Sequence, residues 1–369
     1  MATPDVLVVG GGIIGAACAR ALAAAGATVE IVDSGAEAGI ATQASAGMLA
    51  PLAEAPQDDP IMGLGVRARD LYRDLVPAIQ NETGVNVHLS TDGILKVAFT
   101  EEEEDAARDA IAWQRQQGLN SEWLTAGELV DRAPGVSPDA RGALLAPEDG
   151  ALEPLSLLEG LLVSAARHGA RLVRATRVLE VLRDGDRVRG VRTSAGDHPA
   201  GTVVLCAGAW AGRIGGLPRP LSVEPIRGQM VAFPRPAGDR GVILYGGGGY
   251  VLCRGDELLA GSTMEHAGFD PSVTADGRAT VHAKAARLMP ALANATPGRA
   301  WAGLRPVTPD GNPIVGKDPT LRGLLYATGH GRNGILFAGL TGDLIASLHM
   351  GTPIEYDLSP LDPGRFWQF

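Results

Sequence analysis

Residues 5–15 read DVLVVGGGIIG, a short run of β-branched residues that leads directly into a cluster of glycines. The run predicts a buried parallel strand, and the alanine-rich stretch after it predicts a helix that ends at Gly26. A second apolar run at 28–32 predicts the next strand. A strand, a helix and a strand in this order are typical of the first unit of a nucleotide-binding α/β sheet.

The glycines in this stretch have the spacing of a dinucleotide-binding fingerprint. Gly10, Gly12 and Gly15 form the pattern G-x-G-x-x-G. The first glycine permits a tight turn, the second lets a pyrophosphate approach the backbone, and the third lets helix and strand pack closely. Asp33 follows the second predicted strand, where a carboxylate accepts hydrogen bonds from ribose hydroxyls. The pattern predicts dinucleotide binding and leaves NAD and FAD both open.

Two later segments favour FAD. Residues 202–208 (TVVLCAG) resemble the second strand-to-glycine motif of flavoproteins. Residues 326–334 (YATGHGRNG) place a glycine-rich turn directly before an apolar helix, and the positive end of such a helix stabilises the anion of a reduced flavin. Because no cysteine follows Cys253, we expect the FAD to be bound non-covalently.

The rest of the chain predicts a second, β-rich unit between two α/β parts. Further strands are predicted at 171–175, 177–182, 188–193, 223–233, 242–244, 250–253, 257–260 and 324–327, and further helices at 58–83, 101–117, 152–167, 274–289 and 334–350. We expect an α/β fold in which a discontinuous, Rossmann-like FAD-binding domain encloses an inserted α+β substrate domain built on a mixed or antiparallel sheet. The expected boundaries are 1–85, 146–215 and 303–369 for the FAD-binding domain, and 86–145 and 216–302 for the substrate domain.

Composition and charge exclude several other classes of protein. With 32 Lys and Arg against 42 Asp and Glu, the formal net charge is −10, which argues against a nucleic-acid-binding protein. No uncharged apolar run is long enough for a transmembrane helix, and the N-terminal stretch lacks the pattern of a signal peptide. The 3 cysteines have no C-x-x-C spacing, so we expect neither a disulfide framework nor a metal site, in a cytoplasmic protein.

Four segments spread along the chain resemble the FAD-dependent D-amino-acid oxidase family, and within it the glycine oxidase group of thiazole biosynthesis. They are GGGIIG (10–15), SAGMLAP (45–51), WAGLRPVTPDGNPIVG (301–316) and ATGHGRNGILFA (327–338). The spacing between the segments also agrees with that family. The resemblance implies an FAD-dependent amine oxidoreductase with a small amino-acid substrate and O2 as electron acceptor. A homo-oligomer is compatible with it, and the sequence leaves the assembly state open.

The same resemblance implies roles for individual residues around the FAD. Together with the fingerprint glycines, the residues expected to contact FAD are Gly10, Gly12, Ile13, Ile14, Gly15, Asp33, Ser34, Ala41, Thr42, Ala46, Gly47, Met48, Val178, Gly208, His330, Gly331, Arg332, Asn333, Gly334, Ile335 and Leu336. In this reading 13–14 and 33–34 contact the ADP half, 41–42 the pyrophosphate and ribityl chain, 46–48 the isoalloxazine, 178 the adenine, and 330–336 the pyrimidine edge of the flavin.

The residues expected at the substrate are Arg305, Arg332, Tyr250 and Met264. Arg305, in a GLRP turn, would hold the substrate carboxylate, because a planar guanidinium binds a carboxylate with two parallel hydrogen bonds. A structural ion pair is the alternative role. Arg332 would lie beside it, and Tyr250 and Met264 would line the pocket. An ordinary strand aromatic and a gap-filling core methionine are the alternatives for the last two.

The activity implied is oxidative deamination of glycine and of small amines or D-amino acids. A hydride passes from Cα to flavin N5, water hydrolyses the resulting imine to a 2-oxo acid and ammonia, and O2 is reduced to H2O2. The product formed from glycine would be available for thiamine thiazole synthesis. A broader D-amino-acid or sarcosine oxidase and a quinone-linked dehydrogenase stay open, as do an NAD(P)-dependent dehydrogenase and a non-catalytic FAD-binding subunit. Gly331 and the glycine run 246–249 depart from the family pattern, so the size range of the substrate also stays open.

Overall fold

The apolar run that opens the chain forms an interior strand of a six-stranded sheet. The structure is a computed structural model that describes residues 3–35, 39–54 and 59–367. The strands in this part of the chain are β1 (Val6–Val9), β2 (Val29–Val32), β3 (Met48–Leu49), β4 (Leu89–Ser90), β5 (Ile94–Ala98), β6 (Glu122–Thr125), β7 (Gly142–Ala146), β8 (Gly150–Leu152), β9 (Arg171–Val173), β10 (Val178–Asp184), β11 (Arg187–Thr193), β12 (Gly196–Pro199), β13 (Thr202–Leu205), β14 (Glu224–Pro234), β15 (Ile243–Gly246), β16 (Gly249–Arg254), β17 (Glu257–Gly261), β18 (Ala300–Val307), β19 (Ile314–Lys317) and β20 (Leu324–Thr328). The α-helices are α1 (Ile13–Ala24), α2 (Ala41–Ala44), α3 (Pro51–Glu54), α4 (Met62–Thr83), α5 (Glu101–Gln116), α6 (Ala126–Arg132), α7 (Pro154–Arg167), α8 (Ala275–Leu288) and α9 (Gly334–Met350).

The six-stranded sheet has the order β19-β20-β13-β1-β2-β9. Its strands are parallel except at the β19 edge, where β19 pairs antiparallel with β20. Alternate residues of β1 lie in two different apolar cores, Val6 and Val8 on the side of the helices and Leu7 and Val9 on the other side. Both faces of the sheet are therefore covered, as is usual for parallel strands.

The second large sheet is mixed and has eight strands, in the order β18-β14-β17-β16-β15-β5-β7-β6. Its neighbours are antiparallel except for the parallel pair of β15 and β5. Helix α8 packs against β14, β16 and β17, and Val281 and Leu288 of this helix are fully buried. The α/β fold class and the mixed or antiparallel second sheet are thus confirmed. The division into domain segments stays a prediction.

Local differences from the sequence prediction have simple physical causes. The prediction of a turn at the GLRP sequence is wrong, because Arg305 lies within strand β18. Pro306 can be part of this strand because β18 is the edge of its sheet, where a missing N–H is tolerated. The strands predicted at 177–182 and 188–193 are longer than expected and form a hairpin, in which Asp184 pairs with Arg187.

Several strands were not predicted at all. β5 and β7 are short, almost wholly buried runs without polar alternation, which periodicity does not separate from buried helix. The helix predicted at 58–83 begins at Met62, and residue 58 itself lies outside the described residues. In the part of the chain that the structure describes, no helix has the length and hydropathy needed to cross a membrane.

Candidate active site

A cavity of about 660 Å³ extends from the glycine turn after β1 to the strands of the eight-stranded sheet. Its wall contains Gly10 and Asp33 from the six-stranded sheet, and Tyr250 and Arg305 from the other sheet. Its volume falls within the range of ligand pockets, roughly 300–1,000 Å³. A second cavity adjoins it, shares part of its wall and is lined by far fewer residues, so the first is called the large cavity.

The glycine turn has the geometry that the fingerprint predicts. Gly10 has a φ of 102°, and a Cβ there would lie 2.6 Å from the carbonyl oxygen of Cys206. A Cβ on Gly15 would lie 1.9 Å from the carbonyl oxygen of Gly10, so α1 and β1 can pack closely only with glycine. At Gly12 a Cβ would meet only the Thr42 hydroxyl, at 3.5 Å. The protein itself leaves room at Gly12, which lines the cavity, so the absence of a side chain leaves space for a ligand.

Two side chains fix the conformation of this turn. The Asp33 carboxylate accepts hydrogen bonds from the amides of Gly11 (2.7 Å) and Gly35 (2.8 Å). The Thr42 hydroxyl accepts one from the amide of Ile13 at 3.1 Å, in the first turn of α1. Asp33 and Thr42 both line the cavity, at the end where the amides of a helix N-terminus favour phosphate.

Arg305 is a partly buried cation without an acidic partner among the described residues. Its guanidinium donates to the carbonyl oxygen of Thr263 at 3.1 Å and to the hydroxyl of Ser262 at 2.7 Å. Among the described residues no carboxylate oxygen lies within 4.0 Å of it. A Cβ on Gly228 would lie 1.9 Å from Nη1, so the guanidinium lies directly over that glycine. Burial lowers the pKa of Arg305, but a guanidinium stays protonated in proteins, so the cavity wall carries an unneutralised positive charge.

Arg332 lies in the same wall but is paired. Its guanidinium contacts the carboxylate of Glu54 at 2.8 Å and donates to the hydroxyl of Tyr245 at 3.5 Å. The Glu54 side chain is 17% exposed, and burial raises its pKa, against the opposing effects of Arg332, Arg305 and Lys96. Sequence reasoning missed Glu54. It follows the SAGMLAP segment closely, but nothing in its local sequence shows that it faces an arginine far along the chain.

Tyr250 lies on β16 and is 8% exposed. Its hydroxyl is 3.5 Å from the sulfur of Met230, and both residues line the cavity. Burial raises the pKa of the phenol, so its hydroxyl keeps its proton and remains a hydrogen-bond donor. A Cβ on Gly261, opposite it on β17, would lie 2.5 Å from that hydroxyl, so this glycine makes room for the ring.

Comparison with known proteins identifies the family. The sequence profile described as DAO, FAD dependent oxidoreductase, matches residues 5–348. The chain belongs to this family. It is therefore an FAD-dependent oxidoreductase, and the NAD alternative is wrong.

The glycine oxidase of Geobacillus kaustophilus is 36% identical over 365 residues, which cover 98% of this chain and 97% of that protein. A crystal structure of glycine oxidase from Geobacillus kaustophilus superposes with a TM-score of 0.93, at 34% identity and 99% coverage of both chains. The bifunctional protein ThiO/ThiG of a Synechocystis species is 33% identical over 371 residues, which cover 99% of this chain and 54% of that protein.

Most of the residues expected around FAD line the large cavity. Those in its wall are Gly10, Gly12, Ile13, Ile14, Asp33, Ser34, Ala41, Thr42, Ala46, Gly47, Met48, Val178, Gly208, His330, Gly331, Arg332, Gly334 and Ile335. Three expected residues lie outside the wall. Gly15 packs under Gly10, Asn333 precedes α9 as its N-cap, and Leu336 is buried in the core beneath that helix.

The substrate residues are divided between the two cavities. Arg305 lines the large cavity, Met264 lines the second, and Tyr250 and Arg332 line both. Met264 is 56% exposed, so it is neither a core methionine nor part of the enclosed end of the site. Cavity residues that sequence reasoning missed are Glu54, Arg174, Arg177, Trp210, Arg213, Met230 and Ser262.

The turn before α9 joins the FAD-binding and substrate ends of the cavity. The amide of Gly331 donates to the carbonyl oxygen of Pro306 at 2.7 Å, and Val307 forms a β-bridge with His330. His330 is fully buried, with Nε2 at 3.0 Å from the Thr341 hydroxyl, and burial lowers its pKa to about 3. Helix α9 begins at Gly334. Because His330 is neutral, it adds no positive charge next to the positive N-terminal end of this helix.

Proposed function

We propose that this enzyme oxidises glycine and other small amino acids, with FAD as the hydride acceptor. The single observation that carries the proposal is Arg305, a partly buried cation in the cavity wall without an acidic partner among the described residues. A substrate carboxylate supplies the missing charge and accepts two parallel hydrogen bonds from the guanidinium. The glycine oxidase relatives, which are similar over nearly their whole length, support this substrate class.

The surrounding residues hold Arg305 in a fixed orientation. Its bonds to Ser262 and Thr263 use part of the guanidinium, and the close contact with Gly228 fixes its plane. A bound carboxylate fixes the direction of the Cα–C bond, so the Cα–H bond is held in one orientation relative to the cofactor. Positioning of this kind lowers the activation free energy substantially, because the entropy cost of bringing the reacting atoms together is met when the substrate binds.

The remaining chemistry requires few side chains. Bound FAD would supply the acceptor for the hydride from Cα, with O2 as the final electron acceptor and H2O2 as its product. We propose that the protonated phenol of Tyr250, which lines the same cavity, donates a hydrogen bond to the substrate carboxylate. Glycine, O2 and water then give glyoxylate, ammonia and H2O2, after the imine leaves the site or is hydrolysed within it.

The FAD itself would be held mainly by backbone. We propose that the glycine turn binds the pyrophosphate, Asp33 the ribose, residues 46–48 the isoalloxazine, Val178 the adenine, and 330–336 the pyrimidine edge. Asn333 and Leu336 would act through the shape of the turn, since neither lines the cavity. We also retain the domain division 1–85, 146–215 and 303–369 against 86–145 and 216–302 as a proposal, because β1 and β14 belong to different sheets.

A role in thiamine thiazole synthesis is the physiological part of the proposal. The relative that combines ThiO with ThiG in one protein supports it, since this chain is similar to about half of that protein. Free cysteines at positions 18, 206 and 253 are compatible with a reducing cytoplasm.

Anaerobic mixing with glycine tests the proposal. We expect glycine to bleach the flavin absorbance of the purified enzyme, sarcosine and D-alanine to do so with other rates, and air to restore it with formation of H2O2. Flavin that is reduced but makes almost no peroxide in air would indicate a quinone-linked dehydrogenase instead. A flavin that none of the three amino acids reduces would contradict the proposal.

A further inference from the structure

The two arginines at the substrate end of the cavity differ in one respect that bears on specificity. Arg305 has no carboxylate partner within the described residues, whereas Arg332 is paired with Glu54 at 2.8 Å. Both guanidinium groups line the large cavity, and Glu54 lines it too. A single carboxylate ligand can therefore neutralise Arg305, while Arg332 is already neutralised by the protein.

Arg332 also lines the second cavity, which offers space beyond the carboxylate-binding end. Tyr250, Ser262 and Arg332 are common to both walls, and Lys284 belongs to the second alone. Lys284 donates to the carbonyl oxygen of Ser262 at 3.0 Å and has no carboxylate within 4.0 Å among the described residues. A substrate with a second arm could therefore extend from Arg305 past Arg332 into this space.

Arg227, another cation in the wall of the second cavity, is paired with Glu265 at 2.5 Å and with Asp270 at 2.9 Å. Asp276 also lines the second cavity, and Lys96, which lies near Glu54, lines neither cavity. Glu54 is thus the acidic group that directly contacts Arg332, and it would repel a second carboxylate that approached this arginine.

We propose that Glu54 is a specificity-determining residue: by neutralising Arg332 it restricts the site to substrates with one carboxylate, and it excludes amino acids and N-substituted glycines that carry a second acidic group. This inference rests on the proposed function in one respect, the binding of the first carboxylate by Arg305. Without the Glu54 charge, Arg332 becomes a second unneutralised cation in the cavity wall, with free donors for the second carboxylate of a dicarboxylate ligand.

Two analogues that are not oxidised as amines test the charge restriction without turnover. Glycolate has one carboxylate, and oxydiacetate has two joined through an ether. Their dissociation constants are measured on the FAD-loaded enzyme from the perturbation of the flavin absorbance. We expect the wild-type enzyme to bind glycolate more tightly, and Glu54→Gln to gain roughly tenfold or more for oxydiacetate relative to glycolate, the factor that about 1.4 kcal/mol represents.

The double variant Glu54→Gln/Arg332→Gln identifies the group that binds the second carboxylate, and we expect it to lose the gain. Glu104→Gln is the matched control, since Glu104 is also paired with arginines, Arg108 and Arg141, but lies outside both cavity walls. It should keep the wild-type ratio.

Several results would overturn the inference. A wild-type enzyme that binds oxydiacetate as tightly as glycolate overturns it without any variant, so the test does not depend on whether Glu54→Gln folds. An unchanged ratio in Glu54→Gln overturns it as well, since a merely structural role would weaken both ligands equally. Failure of the proposed function gives a different result, namely no reduction of the flavin by glycine in the wild-type enzyme.

Discussion

The two ends of the large cavity differ in whether backbone or charged side chains form the part of the wall that a ligand would meet. At the end proposed to bind FAD, the turn after β1 is shaped by backbone contacts, with glycines where the chain approaches itself or leaves space and with Asp33 and Thr42 bonded to backbone amides. The side chains of Arg174, Arg177 and Arg213 also line this cavity. At the substrate end the wall carries charged side chains, Arg305, Arg332 and Glu54. A substitution at Gly10 or Gly15 forces the backbone to move, whereas a substitution among Arg305, Arg332 and Glu54 changes the charge that a ligand meets.

The largest effect is expected at Arg305, which has no acidic partner among the described residues. Arg305→Met should lower kcat/KM for glycine by roughly a hundred- to a thousand-fold, because it removes charge-assisted hydrogen bonds of about 1.5–3 kcal/mol each. Steady-state peroxide formation at low glycine concentration measures this loss. The FAD content should stay at the wild-type level, and Arg192→Met, which removes an exposed arginine paired with Glu180 and Asp197, is the control. Retained turnover at low glycine would contradict the carboxylate assignment.

Two alanine substitutions separate the roles of the glycines at the backbone end. Gly15→Ala should destabilise the apoprotein by about 1–3 kcal/mol, because the new Cβ overlaps the carbonyl of Gly10. Gly12→Ala should leave the apoprotein nearly as stable as wild type but weaken FAD binding, because its Cβ meets no backbone and occupies ligand space. Urea unfolding of apoprotein and FAD titration measure the two effects. Equal destabilisation of the apoprotein by both substitutions would show that Gly12 serves the fold.

A smaller effect, on the pH dependence of stability, is expected from His330 in the turn between the two ends of the cavity. The pKa of His330 is lowered by burial to about 3 in the folded state, against about 6.5 when unfolded. Below pH 6.5 the unfolded chain takes up a proton that the folded protein does not. The free energy of unfolding therefore decreases as the pH falls below 6.5, by up to about 1.4 kcal/mol per pH unit.

His330→Gln should remove this contribution, so the free energy of unfolding should depend less on pH between 5 and 7. Urea unfolding at several pH values and a fixed FAD concentration gives the slope. A variant with the wild-type slope would mean that His330 is protonated in the folded state.

The smallest effect is expected at the exposed methionine. Met264→Ala should change kcat/KM for glycine by less than about twofold, because exposed side chains contribute within about 0.5 kcal/mol and this one lines only the second cavity. The same kinetic assay with a larger N-substituted glycine gives the contrast. A tenfold loss with glycine would place Met264 at the reacting end of the site.

The difference between the two ends also explains how much of the site could be predicted from the sequence. The turn at Gly10, Gly12 and Gly15 and the position of Asp33 follow from neighbours close along the chain, because the constraint is the local path of the backbone. Helices and strands around them were predicted to within a few residues for the same reason. Arg305 was singled out through the resemblance of its segment to the family, but the turn predicted for it is wrong, because Arg305 lies in strand β18.

The residues that sequence reasoning missed depend on contacts between distant segments. Glu54 reaches Arg332 only because α3 and the turn before α9 meet across the cavity. Ser262 lies after β17 and bonds Arg305 of β18, although β14 separates these strands in the sheet. No local pattern carries such information, and a single sequence does not show which distant positions change together.

The hydrogen bond from Gly331 to Pro306 has a consequence for how this enzyme could diverge. It ties the residue next to Arg305 to the turn that leads into α9, through main-chain atoms only. The distance between Arg305 and the start of this helix is therefore set by main-chain contacts. With Arg305 in its proposed role, substitutions at Glu54, Tyr250 or Met264 alter which molecule enters, while the carbon next to the carboxylate keeps its position.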